Sequence, residues 1–139
     1  MKVYNVNALS HEQLVSSKTG EVFSKSAVLT ELFSCQKLFV HHEILSPGKK
    51  ASAPHRHTTQ EELIFVLDGF PTAHLGDQAV RLTPGDFVGF NPGSEDLYFI
   101  ENTTNEDVRF LVICSKQKDD HVIFQQAETN IFEIAQKKL

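Results

Sequence analysis

The sequence has no long apolar runs and no blocks of like charge, and these absences exclude whole classes of protein. Its longest apolar runs, residues 63–67 and 110–114, are far shorter than the roughly 20 residues that a membrane helix needs. The net charge is −5 and no five like charges stand together, which argues against nucleic acid or an anionic membrane as the main partner. Residues 1–10 lack the basic region and apolar core of a secretory signal.

The chain has only two cysteines, Cys35 and Cys114, so it can form at most one disulfide. In a chain without a secretory signal we expect both to be reduced thiols, and we expect the protein to be cytoplasmic. The sequence shows no Ser-His-Asp order, no glycine-rich phosphate loop and no Cys-x-x-Cys pair. It therefore gives no support to a hydrolase, a nucleotide-binding protein or a thiol redox enzyme.

What is present fits one soluble globular domain of 139 residues, 40% of them hydrophobic and 22% charged. Turn signals recur every eight to twelve residues, and this pattern is typical of an all-β sandwich or barrel. Strands are predicted over residues 26–33, 37–45, 55–58, 62–67, 72–75, 78–82, 86–90, 97–101, 108–115 and 121–125.

The two ends of the chain differ from this pattern. Residues 1–25 are predicted to be an N-terminal arm packed on the domain, with a short helical turn over residues 10–15. The barrel itself is predicted to span residues 26–125. Apolar residues at helical spacing predict a short helix in the C-terminal tail, residues 126–139.

The most informative stretch carries His55 and His57, followed by Glu62 at the start of an apolar run. Two histidines one residue apart face the same side only on an extended backbone. Imidazole nitrogens and a carboxylate oxygen are donors that bind Zn, Fe, Mn or Ni, and such a set leaves coordination positions open. These three residues are therefore predicted to bind a divalent metal ion of undetermined identity.

An all-β chain with Gly48, His55-x-His57, Glu62 and Gly69 resembles a single-domain cupin, a small double-stranded β-helix or jelly-roll barrel. Four residues separate the second histidine from the glutamate and six separate the glutamate from the second glycine, which favours Glu62 over Glu61. Six residues separate the leading glycine from the first histidine, where the family has five.

The second cupin motif is altered. Residues 85–93 fit its first half, with Asn91 where the family has proline, but no histidine occurs between His74 and His121. Anchoring the motif on Asn102 places Tyr98 at the histidine position, whereas counting without a gap places Asp96 there. We favour Tyr98 as the fourth residue of the site. A neutral phenol binds metal poorly, so Tyr98 would either face the metal or hydrogen-bond a group bound to it.

The resemblance implies the fold and, less directly, the metal, the ligand and the assembly. Cupins include dioxygenases, decarboxylases, isomerases and non-catalytic sugar-binding domains, so the family does not fix a reaction. We expect a metal-binding protein that acts on a small oxygenated molecule, and a homodimer. The alternative is a metal-independent binding barrel, favoured by the missing histidine. Of the remaining histidines, His74 is expected on the surface, and one of His41 and His42 in the interior, where it could assist the site.

Overall fold

A computed structural model describes residues 1–124, which form eleven β-strands and two short 3-10 helices. In chain order the strands are β1 (Glu12–Val15), β2 (Val22–Val28), β3 (Leu38–Leu45), β4 (His55–His57), β5 (Glu62–Asp68), β6 (Thr72–Leu75), β7 (Gln78–Arg81), β8 (Phe87–Phe90), β9 (Tyr98–Glu101), β10 (Val108–Ser115) and β11 (Val122–Phe124). The 3-10 helices span Val6–Ala8 and Thr30–Phe33. The predicted C-terminal helix lies outside the described residues.

The strands form two antiparallel sheets. The larger sheet has six strands in the order β1-β2-β3-β10-β5-β8, and the smaller has five in the order β11-β4-β9-β6-β7. The all-β prediction is confirmed, and no α-helix occurs among residues 1–124. The same residues contain no helix with the length and apolar character needed to cross a membrane.

The hydrophobic core lies between the two sheets. Strand β10 shows why, because its residues alternate between buried and half-buried along its whole length. Val108, Phe110 and Val112 are at most 3% exposed and pack with Val66 of the larger sheet and Ile100 of the smaller one. Alternation of this kind sends every second side chain inward, so polar residues at inward positions are brought inside the barrel.

Two local predictions near the N-terminus are wrong. Residues 12–15 are not a helical turn but strand β1, which pairs with β2. The strand predicted over residues 26–33 begins earlier and ends at Val28, because Thr30–Phe33 turns as a 3-10 helix. The threonine hydroxyl of that turn accepts a hydrogen bond from the Val40 N–H at 3.1 Å. The predicted division at residue 25 falls within β2, and the division into arm, barrel and tail stays a prediction.

One glycine of the first motif has a clear structural reason. Gly69 ends the turn after β5 with a φ of 84°, in the left-handed region that favours glycine. A Cβ atom there would lie 2.8 Å from the Asp107 carbonyl oxygen and 2.9 Å from a methyl group of Val108. Any side chain at this position would therefore push Asp107 and the start of β10 away from the turn that follows β5.

Candidate metal centre

Strand β4 delivers both histidines of the motif to the inside of the barrel. It is only three residues long, pairs with β11 along its length and meets β9 through the single pair His55 and Tyr98. Glu62 opens β5 in the opposite sheet. One donor atom from each of His55, His57 and Glu62 lies within 4.8 Å of the others. Within residues 1–124 this is the one group of three or more His, Cys, Asp or Glu side chains close enough to hold a metal ion.

The ring orientation of His57 is set by Asp120. Its Nδ1 atom lies 2.7 Å from Oδ2 of Asp120, and since a carboxylate only accepts, Nδ1 must carry the proton. In the neutral ring the Nε2 atom then carries a lone pair that can bind a metal ion, and it lies 3.9 Å from Oε1 of Glu62. This arrangement, in which a carboxylate orients a histidine ligand, is common around protein metal sites.

Asp120 is itself held in place by the backbone. Its Oδ1 atom accepts hydrogen bonds from the N–H groups of Thr59 and Gln60, both at 2.9 Å. Burial opposes ionisation of this carboxyl, but these hydrogen bonds and the His57 ring outweigh it and lower its pKa. Asp120 therefore stays ionised and ties the loop between β4 and β5 to the segment before β11.

His55 is oriented in the same sense by the loop that precedes it. Its Nδ1 atom lies 2.9 Å from the Ala53 carbonyl oxygen and 3.2 Å from the Ser52 hydroxyl. A carbonyl oxygen accepts only, so Nδ1 is again the protonated nitrogen and Nε2 the donor available to a metal. Both histidines thus present the nitrogen that a metal site requires, and the donor set of two imidazoles and one carboxylate fits a divalent transition metal.

Tyr98 lies beside the triad, whereas Asp96 does not. The Tyr98 ring lies 4.6 Å from the His55 ring and stacks on Phe90 at 3.8 Å between centroids. Asp96 is exposed and contacts the turn at Gly76. Burial, with the neighbouring Glu62 carboxylate, raises the pKa of Tyr98 well above its ordinary value. The phenol is therefore neutral, and its role as a fourth ligand stays a prediction.

A small cavity lies inside the barrel next to the triad. Its polar lining comes from Glu43, Ser52, His55, Glu62 and Tyr98. Its volume of about 10 Å³ is on the order of what a single water molecule needs. Two of the three triad residues, His55 and Glu62, thus line a space the size of one small group.

Three comparisons with known proteins bear on this geometry. The family model described as Cupin domain matches residues 41–114, which is more than half of the chain. The match includes β3 from His41 onward and the whole of β4, β5 and β9. The chain belongs to the cupin family. A search of curated proteins finds no match.

Among solved structures, this cupin is similar to a candidate sugar phosphate isomerase from Acidithiobacillus ferrooxidans, with 27% identity and a TM-score of 0.78 over 86% of this chain and 76% of that one. It is also similar to a protein from Thermotoga maritima predicted to be an oxalate decarboxylase, with 22% identity and a TM-score of 0.70 over 84% of this chain and 100% of that one. The polyketide cyclase RemF from Streptomyces resistomycificus shares 19% identity and a TM-score of 0.75, over 98% of this chain and 93% of that one. The last two likenesses concern the fold alone.

The structure brings His55, His57, Glu62 and Tyr98 close together, whereas the sequence analysis did not identify Asp120. Asp120 is separated from His57 by 63 positions, and nothing in its local sequence distinguishes it from the exposed Asp119 beside it. His74 lies on the outside, as expected, with Nε2 3.0 Å from Glu101 Oε1. His41 faces the interior, and His42 is buried on the other face of β3.

Proposed function

We propose that this cupin binds a divalent metal ion through His55, His57 and Glu62 and acts on a small oxygenated molecule. The observation that carries the proposal is the tautomer of the two rings. Each Nδ1 is held by an acceptor, Asp120 or the Ala53 carbonyl, so both Nε2 atoms are left as unprotonated donors. The two rings are constrained beside one carboxylate, as the ligands of a protein metal site commonly are.

When bound, such an ion would supply Lewis acidity, polarising a carbonyl or carboxylate oxygen of the substrate. The neighbouring residues would orient the metal ligands. Asp120 fixes His57, and the Cys114 thiol donates to Oε1 of Glu62 at 3.4 Å. Isomerisation, decarboxylation and oxygenation are the reaction classes we propose. Similarity to a structure described as a candidate sugar phosphate isomerase supports a small oxygenated substrate.

A second candidate function is a metal-independent binding barrel. The specific observation in its favour is Tyr98, which takes the position where the second cupin motif has histidine. Its phenol is buried and its raised pKa keeps it neutral, so it is a weak replacement for a fourth imidazole.

Metal analysis of the purified protein tests the first candidate. We expect wild type, after growth with supplemented Zn, Mn, Fe and Ni, to carry close to one equivalent of metal, and the double variant His55→Ala, His57→Ala to carry almost none. The matched control is the double variant His11→Ala, His74→Ala, which removes two histidines outside the triad and should leave the metal content unchanged. Equal metal in wild type and in the triad variant, or none in wild type, would favour the metal-independent barrel.

The fourth position has its own test. Tyr98→His should raise metal affinity because it places a third imidazole beside His55. Asp96→Ala should leave the affinity unchanged because the Asp96 side chain is exposed. The opposite pair of results would assign the fourth position to Asp96.

We also propose that the protein is a cytoplasmic homodimer that pairs through the outer face of the larger sheet. On the outer face of β3, β5 and β10 most side chains are apolar and half-buried, the polar ones being His42, Arg109 and Ser115, and Phe87 of β8 is 65% exposed. The Phe87 ring lies over Phe65 at 6.3 Å, which extends the apolar surface to the sheet edge. The half-buried apolar residues of this face are Val40, Ile44, Leu63, Phe65, Leu111 and Ile113.

Light scattering of two matched variants tests the dimer. Phe87→Glu should lower the molar mass from dimer to monomer because it places a charge on the proposed interface. Val80→Glu alters an equally exposed apolar residue on the other sheet and should leave the mass unchanged. A monomeric wild type, or the same mass in all three proteins, would contradict the dimer.

A further inference from the structure

Glu62 is the member of the triad whose side chain is intrinsically the most flexible. A glutamate loses more rotamer freedom on being fixed than a histidine does, and both histidine rings are already anchored through Nδ1. Glu62 is also the first residue of β5, directly after the loop that follows β4. A glutamate in this position presents its oxygens reliably to a metal ion only if other groups of the protein hold the carboxylate.

The first group that holds Glu62 is the thiol of Cys114. The two residues are paired across β5 and β10, so their side chains lie on the same face of the larger sheet. The Cys114 Sγ atom lies 3.4 Å from Oε1 of Glu62, and its S–H group donates to that oxygen. Cys114 is 3% exposed. The thiol thus contacts the same carboxylate oxygen that approaches His57.

The second group comes from the opposite sheet. The hydroxyl of Tyr98 on β9 is hydrogen-bonded to the Glu62 carboxylate, and since a carboxylate only accepts, the phenol is the donor. Tyr98 is 4% exposed, and its ring is packed between Phe90 and His55, so the direction of the hydroxyl is fixed. One carboxylate is therefore held from two sides, by a thiol of its own sheet and by a phenol of the other.

Both donors are uncharged, which suits a carboxylate that is to bind a cation. A lysine or arginine in either place would also hold Glu62, but its charge would repel a divalent ion. None of the described residues that line the neighbouring cavity is a lysine or arginine. The thiol and the phenol therefore orient the carboxylate and leave its negative charge available to a metal.

We propose that Cys114 and Tyr98 are positioning residues for Glu62 and that neither of them binds the metal ion. The protein then supplies three ligands, His55, His57 and Glu62, and the remaining coordination positions are open to a substrate. This inference rests on the proposed function and deepens it, because it makes Tyr98 a hydrogen-bond donor to a ligand rather than a fourth ligand.

Competition with a chromophoric chelator tests the proposal on the metal-loaded protein. We expect Tyr98→Phe and Cys114→Ala each to lower the affinity for Zn²⁺ by about 10-fold, an effect typical of changing a residue behind a ligand. Cys114→Ser keeps a donor in the same place and should recover part of the affinity that Cys114→Ala loses. An affinity that is unchanged in Tyr98→Phe and in Cys114→Ala, or a serine variant no better than the alanine variant, would overturn the proposal.

The chain offers a matched control for each substitution, because it contains only one other tyrosine and one other cysteine. Tyr4 is 42% exposed and Cys35 is half-buried. Tyr4→Phe and Cys35→Ala should therefore bind Zn²⁺ as tightly as wild type. Losses in these controls as large as those in Tyr98→Phe and Cys114→Ala would show that the effect is not specific to the donors on Glu62.

Spectra of two loaded forms separate a positioning residue from a ligand. A thiolate bound to Co²⁺ gives an intense charge-transfer absorption in the near ultraviolet, and a phenolate bound to Fe³⁺ gives one in the visible. We expect neither absorption in wild type, because both side chains keep their hydrogen and donate it to Glu62. A charge-transfer absorption that disappears in Cys114→Ala or in Tyr98→Phe would show that the replaced residue is a ligand, and would overturn the proposal.

Unfolding of the metal-free protein in urea separates this proposal from the metal proposal. If the phenol acts on Glu62, the losses of stability in Tyr98→Phe and Glu62→Ala should not add in the double variant, because both remove the same contact. The same holds for Cys114→Ala with Glu62→Ala, whereas Tyr4→Phe with Glu62→Ala should be additive. Additive losses in all three pairs would reject the positioning roles alone, even in a protein that binds metal. Non-additive losses in a protein that binds no metal would support the hydrogen bonds to Glu62 and reject the metal proposal alone.

Discussion

Strand β4 carries its two histidines one residue apart, whereas β3 carries His41 and His42 side by side. On β4 both rings point into the barrel, and each is anchored through Nδ1. On β3 the rings diverge, with His41 next to Glu43 inside and His42 hydrogen-bonded to His11 on the other face, at 2.8 Å between nitrogens. The same residue type thus gives a shared site at one spacing and two separate polar contacts at the other.

The difference teaches that burial does not identify a functional histidine. His41 and His42 are 1% and 2% exposed and are at least as buried as His55, which is 8% exposed. What separates the pairs is whether the two rings converge. The β4 pair meets a carboxylate at a common point, while each β3 histidine is occupied by its own partner.

The largest effect on stability is expected when the contact between His41 and Glu43 on the inner face of β3 is broken. His41→Ala leaves the fully buried Glu43 carboxylate without the imidazole 2.6 Å away. Removing one member of a buried pair costs about 3–5 kcal/mol, and we expect a loss of this size in the free energy of unfolding measured with urea. The double variant His41→Leu, Glu43→Leu, which removes both members, should be more stable than His41→Ala. Equal stability of His41→Ala and wild type would mean that the pair contributes nothing.

The outer contact of β3 should appear in the pH dependence of stability. Burial, His11 and the Arg109 charge lower the pKa of His42 from 6.5 to about 4. The unfolded chain therefore binds a proton on His42 at higher pH than the folded chain does. Stability conferred by the neutral ring is complete above pH 6.5 and is lost as pH falls towards 4, by about 3 kcal/mol in all. Denaturation of wild type and His42→Gln across this range measures it, because the variant should lose less stability on acidification.

A control for that slope is His74→Gln, which removes a histidine that is a quarter exposed in its side chain. Its profile serves as the reference for replacing a histidine outside β3. A His42→Gln profile that follows wild type would show that His42 does not carry the effect.

On β4, the sharpest test of the shared site is Asp120→Asn. The amide can still accept from Thr59 and Gln60, but it no longer fixes the His57 tautomer as a carboxylate does. We expect metal affinity to fall by about 10-fold to 100-fold, the effect typical of changing the residue behind a ligand. Competition with a chromophoric chelator measures the affinity. Asp119→Asn, one residue earlier and exposed, should have no effect, and identical losses in both variants would contradict the role of Asp120.

The smallest effect is expected at Glu61, the neighbour of the predicted ligand. Its side chain is exposed, so Glu61→Gln should change stability by less than about 0.5 kcal/mol and leave metal content as it is. Glu62→Gln should remove most of the bound metal because it replaces the anionic donor. A reversed result in metal analysis would show that the spacing selected the wrong glutamate.

Much of the site was readable from the sequence because its information is local. Strand alternation gives the common face of His55 and His57, and spacing selects Glu62 over Glu61. The altered second motif also led to Tyr98, which the structure places opposite His55 in the neighbouring strand.

The parts that could not be predicted depend on distant contacts. The partnership of His57 and Asp120 needs the whole intervening chain to be folded, and no local pattern encodes it. Residues 12–15 form a strand only because β2 pairs with them, a tertiary effect that overrides a helix-start signal. The place of Glu43 in the cavity lining could not be predicted for the same reason, since its partner Ser24 comes from another strand.

The bond between His57 and Asp120 also has a consequence for the order of folding. It joins residues 63 positions apart, and closing so long a loop is entropically costly until intervening contacts are made. Strands β5 to β10 supply those contacts, so we expect the His57 ring to be fixed among the last events of folding. Under the proposed function, a newly made chain would therefore be able to bind metal only after the barrel has closed.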